Sequence, residues 1–370
     1  MLKRFISISE VQFRDSLPTR KDFSDEAVLI FDEKLLQYGF FKAWVKRFDH
    51  RLALRAGESL KSIDNFVKVL KDVNKKSRPF SKSGMQIISV GGGSVGDLTG
   101  FLASILKRGV SHVQIPSTWL ASIDSAHGGK NGINIGGAKN QIGTFYPASQ
   151  VLIVKDLLWP QPPERAFEAL SELFKLGFIK GGRWKSLIKN QVPRVLATPL
   201  IIRSKKNHSL KLRDEAIKQL LWDNIPFAVK AKGSIVQKDP YEKIGPRRVL
   251  NLGHTVGHVL EAFYQWPHGI AVAEGLRFAI EWSRELNFLR TQEAAELSFD
   301  VLSILPRGQC GKNKYIPRAK FLRLLLQDKK ATSKNKIAFV FVKGFGKPFI
   351  KEVTVSQIIH EAERQGWIRT

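Results

Sequence analysis

Three of the chain's eight histidines, His254, His258 and His268, fall within fifteen residues, and such clustering favours chemistry over chance. His254 and His258 stand four apart in LNLGHTVGH (250–258), so on a helix they share one face. Imidazole nitrogens joined by a carboxylate oxygen hold a zinc-like ion, and a catalytic centre keeps one coordination position open for substrate. Candidate carboxylates are Glu172, in SELFKLG, and Glu261, in HVLEAF. The spacing alone leaves open whether His254 and His258 both hold the ion or have separate tasks. Glu172 and Lys175 are three apart, which would aim an anionic ligand and a cation from one helix face.

Two further stretches suit anions. In ISVGGGSVGDLTGF (88–101), Gly91, Gly93 and Gly96 fit G-x-G-x-x-G between a strand-like run and a helix, where backbone N–H groups can meet a diphosphate. The acid expected about twenty residues on is missing, since HVQIPST fills that window. Asp32, at the end of an earlier strand, is the natural carboxylate for a ribose. In DSAHGGKNGINIGGAKNQIG (124–143), Lys130, Lys139 and Asn140 stand in a glycine-rich stretch that reads as a loop able to cradle phosphate or carboxylate.

The elements that must position these groups change character along the chain. Apolar runs at 27–33, 51–57, 85–90, 111–118 and 150–156 read as strands, with a helical period over 62–73. That alternation predicts a parallel sheet wrapped by helices. After PQPPER (160–165), segments near 166–180, 211–222, 226–237, 255–265, 269–286 and 292–303 have helical spacing, and only KIAFVFV (336–342) reads as a clear late strand. The expected fold is an α/β Rossmann-like domain over residues 1–161 and a mostly α-helical domain over 162–370. A chain of 370 residues, 43% of them hydrophobic, can bury two such cores.

The charge balance, 60 Lys+Arg against 33 Asp+Glu for a formal +27, attracts anions without naming them. The basic stretches at 71–78, 203–213 and 317–323 lack aromatic interleaving and zinc-finger spacing, so they read as solvated faces, and nucleic acid is not the expected partner. One cysteine, Cys310, excludes an intrachain disulfide. The opening MLKRFISISE lacks a secretory signal and no run of 18 apolar residues occurs, so a soluble cytoplasmic protein without a membrane partner is expected.

Several long blocks, in order, carry a resemblance: GGGSVGDLTGFLAS, KRGVSHVQIPSTWLASIDSAHGGKNGIN, AKNQIGTFYP, LNLGHTVGH, HG at 268–269 and DKK at 328–330. From about residue 28 to about 345 the chain resembles 3-dehydroquinate synthase. The resemblance implies NAD bound by the N-terminal domain, zinc or cobalt bound by the C-terminal one, and an active site between them. It implies conversion of 3-deoxy-D-arabino-heptulosonate 7-phosphate to 3-dehydroquinate and phosphate in the shikimate pathway, with NAD restored in each turnover. It further implies a homodimer, in which Arg108 serves the neighbouring subunit.

Carried over by position, the implied metal ligands are Glu172, His254 and His268, while His258 transfers protons. The implied substrate contacts are Arg108, Asp124, Lys130, Asn140, Lys175, Lys232, Glu242, Arg247, Asn251 and one or both of Lys329 and Lys330. For NAD the matching positions are Asp32, Glu58, Lys61, the turn Gly91, Gly92, Gly93, Ser94, Val95 and Asp97, then Ser117, Thr118 and Lys139. The chain departs from the family pattern at His127, Asn131, the PQP at 160–162, the ALSE at 169–172, Ile270 and a one-residue insertion within 239–245, which bears on Lys232 and Glu242. None removes a metal ligand. The competing readings are a related sugar-phosphate cyclase of the 2-deoxy-scyllo-inosose or 2-epi-5-epi-valiolone synthase type, a glycerol-phosphate dehydrogenase, and a basic nucleic-acid-binding protein with an inactive core.

Overall fold

The computed structural model describes residues 9–136, 138–198, 208–243, 245–305, 315–328 and 335–369. They form two compact units, one comprising the described residues of Met1–Pro162 with Lys232–Tyr241, the other those of Pro163–Ala231 with Glu242–Thr370.

The first unit is Rossmann-like. Its strands are β1 (Glu10–Arg14), β2 (Ala27–Asp32), β3 (Arg51–Leu54), β4 (Gln86–Gly91), β5 (Ser111–Pro116), β6 (Lys130–Ile135), β7 (Ala138–Phe145) and β8 (Gln150–Val154). Six of them make one parallel sheet in the order β1-β8-β5-β4-β2-β3. Buried runs such as Ala27–Phe31 suit a sheet covered on both faces. Because strand side chains alternate, Val28 and Ile30 pack with Val95, Leu98 and Leu102 of α3 (Gly93–Ile105) and with Phe66 and Val69 of α2 (Ile63–Lys76). Leu29 and Phe31 instead meet Phe41 and Trp44 of α1 (Gly39–Val45). The short helices α4 (Trp119–Ile123) and α5 (Lys155–Leu158) complete this unit.

One expectation fails here. The stretch 124–143, read as a loop, contains the antiparallel hairpin β6–β7, with Ile133 opposite Ile142 and Asn131 opposite Thr144. Alternating β-branched residues outweigh the glycines, and the fully buried Ile133 anchors the hairpin in the core. Strand β1, whose EVQFR alternates too briefly to stand out, joins the sheet beside β8.

The second unit is mostly helical: α6 (Pro163–Lys180), α7 (Arg183–Ser186), α8 (Val192–Leu196), α9 (His208–Val236), α10 (His254–Tyr264), α11 (His268–Glu285), α12 (Thr291–Ser303), α13 (Arg318–Asp328) and α14 (Val355–Arg364). Two small sheets accompany them, β9 (Ile316–Pro317) with β12 (Ile368–Arg369) and β10 (Lys336–Val342) with β11 (Pro348–Thr354). The two helices expected over 211–237 are the single α9, which runs through Pro226 although proline removes one helical hydrogen bond. Its last turn, from Lys232, groups with the first unit. From Glu168 to Ile179, α6 is buried without a break, as a helix packed on all sides must be. Among the described residues no helix is long and apolar enough to cross a membrane.

Candidate active site

In the first unit, the expected nucleotide positions collect at the carboxyl ends of neighbouring parallel strands. Phe31 pairs with Val90, so Asp32 lies level with Gly91, and Gly91 itself pairs with Pro116, just before Ser117 and Thr118. Open parallel sheets bind ligands at that edge. The chain passes from β4 through Gly92 into α3, whose N-cap makes no side-chain capping bond and whose first turn has no acid. Its leading N–H groups therefore suit a diphosphate. Ser117 N–H donates to the Gly91 carbonyl (2.9 Å), and Thr118 caps α4 by accepting from Ala121 N–H (3.2 Å). The Asp32 carboxylate accepts from Lys34 N–H (3.1 Å).

The remaining groups form a connected set. Lys61, only 4% exposed, donates to Asp97 Oδ2 (2.6 Å) and to Asn140 Oδ1 (2.5 Å). Burial raises the Asp97 pKa above the usual carboxylate range, against the opposing pull of the Lys61 ammonium. Gly57 N–H donates to Ser94 Oγ (3.1 Å). Asn134 Nδ2 donates to Glu58 Oε1 (2.7 Å), while Asn134 Oδ1 accepts from Asn140 N–H (2.8 Å). Lys61 thus joins Asp97 to Asn140, and Asn134, which the sequence reading missed, ties Glu58 to Asn140. Its alternation with Gly132 in the hairpin was the available signal. Lys130 and Lys139 have exposed side chains on the same hairpin, and Arg108 is exposed with a left-handed backbone (φ 63°).

Lys232 Nζ donates to Asp124 Oδ1 (2.7 Å) and to the Asp124 carbonyl, so two expected substrate contacts hold each other. Two departures from the family pattern lie close by. His127 Nε2 donates to the Ser122 carbonyl (2.8 Å), and enclosure in protein lowers its pKa to about 4. Asn131 Nδ2 donates to the Tyr146 carbonyl (2.7 Å). A side chain at Gly100 would put its Cβ 2.1 Å from Asn131 Oδ1, so the buried carboxamide and that glycine require each other.

In the second unit, α6 supplies Glu172 and Lys175, with 0% and 2% exposure, and their side chains form an ion pair. The i,i+3 spacing does bring the two groups together, and the enclosure of α6 buries both. The turn Pro246–Asn251 leads through Gly253, whose φ of +78° suits glycine, into α10. His254 opens α10 and His268 opens α11, and α11 packs against both α6 and α10. His254 Nδ1 lies 3.1 Å from the Leu252 carbonyl, which can only accept, so Nε2 carries the lone pair. That Nε2 is 3.5 Å from Glu172 Oε1, and His268 Nε2 is 3.7 Å from the same oxygen. Glu172 Oε2 meets the Lys175 ammonium, while the buried Oε1 makes no hydrogen bond among the described residues. A carboxylate so placed, with two imidazole nitrogens, has the donor set and spacing of a divalent-cation site.

His258 is not part of this group. Its ring is 5.2 Å from that of His254 and 5.9 Å from that of His268, and its nitrogen groups with Glu261 and His268 instead. His268 Nδ1 lies 2.8 Å from Glu261 Oε2. Burial opposes its protonation, but the neighbouring Glu172 and Glu261 carboxylates push the His268 pKa up to about 10. Arg247 is buried, and Asn251 Nδ2 donates to Glu242 Oε1 (3.3 Å). Lys329 and Lys330 lie outside the described residues. Of the remaining departures, Ser171 is buried and donates to the Glu168 carbonyl (2.7 Å), and Ile270 is buried at the wall of a cavity of about 410 Å³.

Solved structures define the class. The chain matches a 2-epi-5-epi-valiolone synthase from Streptomyces hygroscopicus subsp. jinggangensis, solved with NAD+ and Zn2+, at a TM-score of 0.78 and 21% identity over 99% of this chain and 98% of that one. It matches a 2-deoxy-scyllo-inosose synthase, solved with carbaglucose-6-phosphate, NAD+ and Co2+, at 0.75 and 20% identity over 96% of each chain. The fold is the one these synthases share with iron-containing alcohol dehydrogenases, such as that of Thermotoga maritima (TM-score 0.54, 16% identity, 99% of this chain and 93% of that one). Within that class the chain belongs to the 3-dehydroquinate synthase family, whose N-terminal model matches residues 51–168 and whose C-terminal model matches 169–331. It is 33% identical to the 3-dehydroquinate synthase of Acidithiobacillus ferrooxidans over 81% of this chain and 76% of that protein. The corresponding figures for the Pyrobaculum islandicum enzyme are 35%, 69% and 68%.

Proposed function

We propose that the chain is a 3-dehydroquinate synthase, a lyase of the shikimate pathway that converts 3-deoxy-D-arabino-heptulosonate 7-phosphate to 3-dehydroquinate and phosphate. Family membership supports the reaction, and one feature of the chain carries the chemistry: the buried Oε1 of Glu172, which makes no hydrogen bond among the described residues, faces the Nε2 atoms of His254 and His268. In our reading those three residues hold zinc or cobalt, and the carboxyl edge of the parallel sheet holds NAD. When bound, such an ion acidifies the hydroxyls it meets and NAD takes and returns a hydride.

The chain's own residues then bind, orient and move protons. Gly91 to Val95 offer backbone N–H groups to a diphosphate, with Asp32 level with them for a ribose. Glu58, Lys61, Ser94, Asp97, Ser117, Thr118 and Lys139 complete that nucleotide set. Lys175 places an ammonium beside Glu172, where it can meet a hydroxyl or carboxylate of the substrate. Asp124, Lys130, Asn140, Lys232, Glu242, Arg247, Asn251 and Arg108, the last from the second copy of a homodimer, bind the anionic sugar phosphate, with Lys329 and Lys330. His258, beside but outside the metal group, moves the proton. A cytoplasmic site of action accords with this biosynthetic role.

The test is to supply the heptulosonate phosphate with NAD+ and Zn2+ and follow phosphate and dehydroquinate, with and without chelator. Equal amounts of both products are expected, with no net NADH and no turnover under chelation. Accumulating NADH, or no phosphate at all, would overturn the proposal.

A further inference from the structure

On α10 the residues His254, His258 and Glu261 follow one another at i, i+4 and i+7, a single stripe facing the first turn of α11. The metal reading uses the two histidines and leaves Glu261 without a task, although its carboxylate makes the shortest polar contact to His268. We infer that Glu261 is a positioning residue of the metal centre, holding the His268 ring so that its Nε2 faces Glu172. This rests on the metal reading given above.

Three observations carry it. His268 presents its two nitrogens to two different carboxylates, Nδ1 to Glu261 Oε2 at 2.8 Å and Nε2 to Glu172 Oε1 at 3.7 Å. A carboxylate on Nδ1–H fixes the tautomer that leaves Nε2 as a ligand, and it raises the basicity of that nitrogen. The other histidine of the group is fixed through the same atom, His254 Nδ1 on the Leu252 carbonyl at 3.1 Å. A backbone carbonyl serves one ring and a carboxylate the other. The side chain at Glu261 is therefore a replaceable clamp on His268, and the negative charge it adds would sit next to a bound cation.

The same residue could instead be a ligand, because a nitrogen of His258, an oxygen of Glu261 and a nitrogen of His268 also lie within 4.8 Å of one another. Titration of the whole chain with Co2+, in competition with a chromophoric chelator, separates the two roles. Wild type should bind one Co2+ per chain. Glu261→Ala should still bind one, 10- to 100-fold more weakly, with an altered visible spectrum of the bound Co2+. Glu261→Gln, which keeps an acceptor but loses the charge, should fall between them, at least threefold weaker than wild type.

Unchanged affinity and spectrum in both variants would overturn the inference. So would two Co2+ per wild-type chain with one lost on Glu261→Ala, which makes Glu261 a ligand of a second ion. Should Glu261→Ala lose its cooperative thermal transition, the comparison of Glu261→Gln with wild type still decides. Wild type that binds no Co2+ would remove the metal reading itself, a result distinct from the failure of Glu261 alone.

Discussion

The two units treat their buried charges in opposite ways. In the first, Lys61 meets Asp97 and Asn140, Lys232 meets Asp124, and Asn134 ties Glu58 to the same set, so the chain satisfies its own polar groups. In the second, Glu172 is more deeply buried: one oxygen meets the Lys175 ammonium, while the other makes no hydrogen bond among the described residues and faces imidazole nitrogens 3.5 and 3.7 Å away. A folded chain tolerates such a carboxylate only if something repays its desolvation. The first unit's polar cluster is a scaffold that a ligand joins. In our proposal the second unit's cluster is the one that a metal ion completes.

The sharpest way to break this comparison is to remove the second cluster's ligands. Glu172→Ala and His268→Ala should each abolish metal binding and lower kcat/KM by more than the roughly 100-fold reached by outer partners of a metal site, as read by metal analysis and phosphate release. Retained metal in His268→Ala would dissolve the contrast. His258→Asn should keep the metal while kcat falls by about 10²- to 10⁴-fold, the usual worth of a positioned proton-transfer group. A metal-free His258→Asn protein would instead make His254 and His258 a ligand pair.

On the first unit's side, Lys61→Met should cost about 3 kcal/mol or more in urea unfolding, because it strands the Asp97 carboxylate. In the double variant Lys61→Met/Asp97→Asn the loss should be smaller than the sum of the single losses. If the losses simply add, the two groups do not act as one network.

The smallest effects concern pH, and here the two units have opposite signs. Burial lowers the pKa of His112, 2.9 Å from Ser89 Oγ, from 6.5 to about 4. Between those values the unfolded chain binds the proton and the folded one does not, so stability is lost as pH falls from 6.5 toward 4, by roughly 3 kcal/mol for His112. His127 adds to the same trend. His268, raised to about 10, works the other way in chelator-treated protein, where its contribution is full below pH 6.5 and is lost as pH rises toward 10. Urea midpoints of wild type, His112→Gln and His268→Gln across pH 4 to 10 check both signs.

Much of this was legible from residue order. Alternating strands and helices gave the parallel sheet, and the glycine turn after β4 marked its carboxyl edge. Glu172, His254 and His268 converge as their types suggested, with the His258 ring beside them. What stayed hidden depended on burial and on contacts far apart in sequence. The Glu-x-x-Lys spacing does not tell how deeply the pair lies until α6 is known to be enclosed, and a glycine-rich stretch reads as a loop until Ile133 finds the core. Asn131 and Asn134 look like loop polar residues, but their amides hold Tyr146 and Glu58, fifteen and seventy-six positions away.

The pairing of Asp124 with Lys232 also bears on how the protein is made. The two residues lie 108 positions apart, so at about 5–20 residues per second the partner of Asp124 is polymerised about 5–20 s after Asp124 itself. A ribosome-bound chain therefore presents most of the parallel sheet long before the last turn of α9 supplies the ammonium. A fragment ending at Pro162 would lack it permanently. The first unit is thus contiguous in space but not in time, and its polar network closes only when more than half of the second unit's sequence remains to be synthesised.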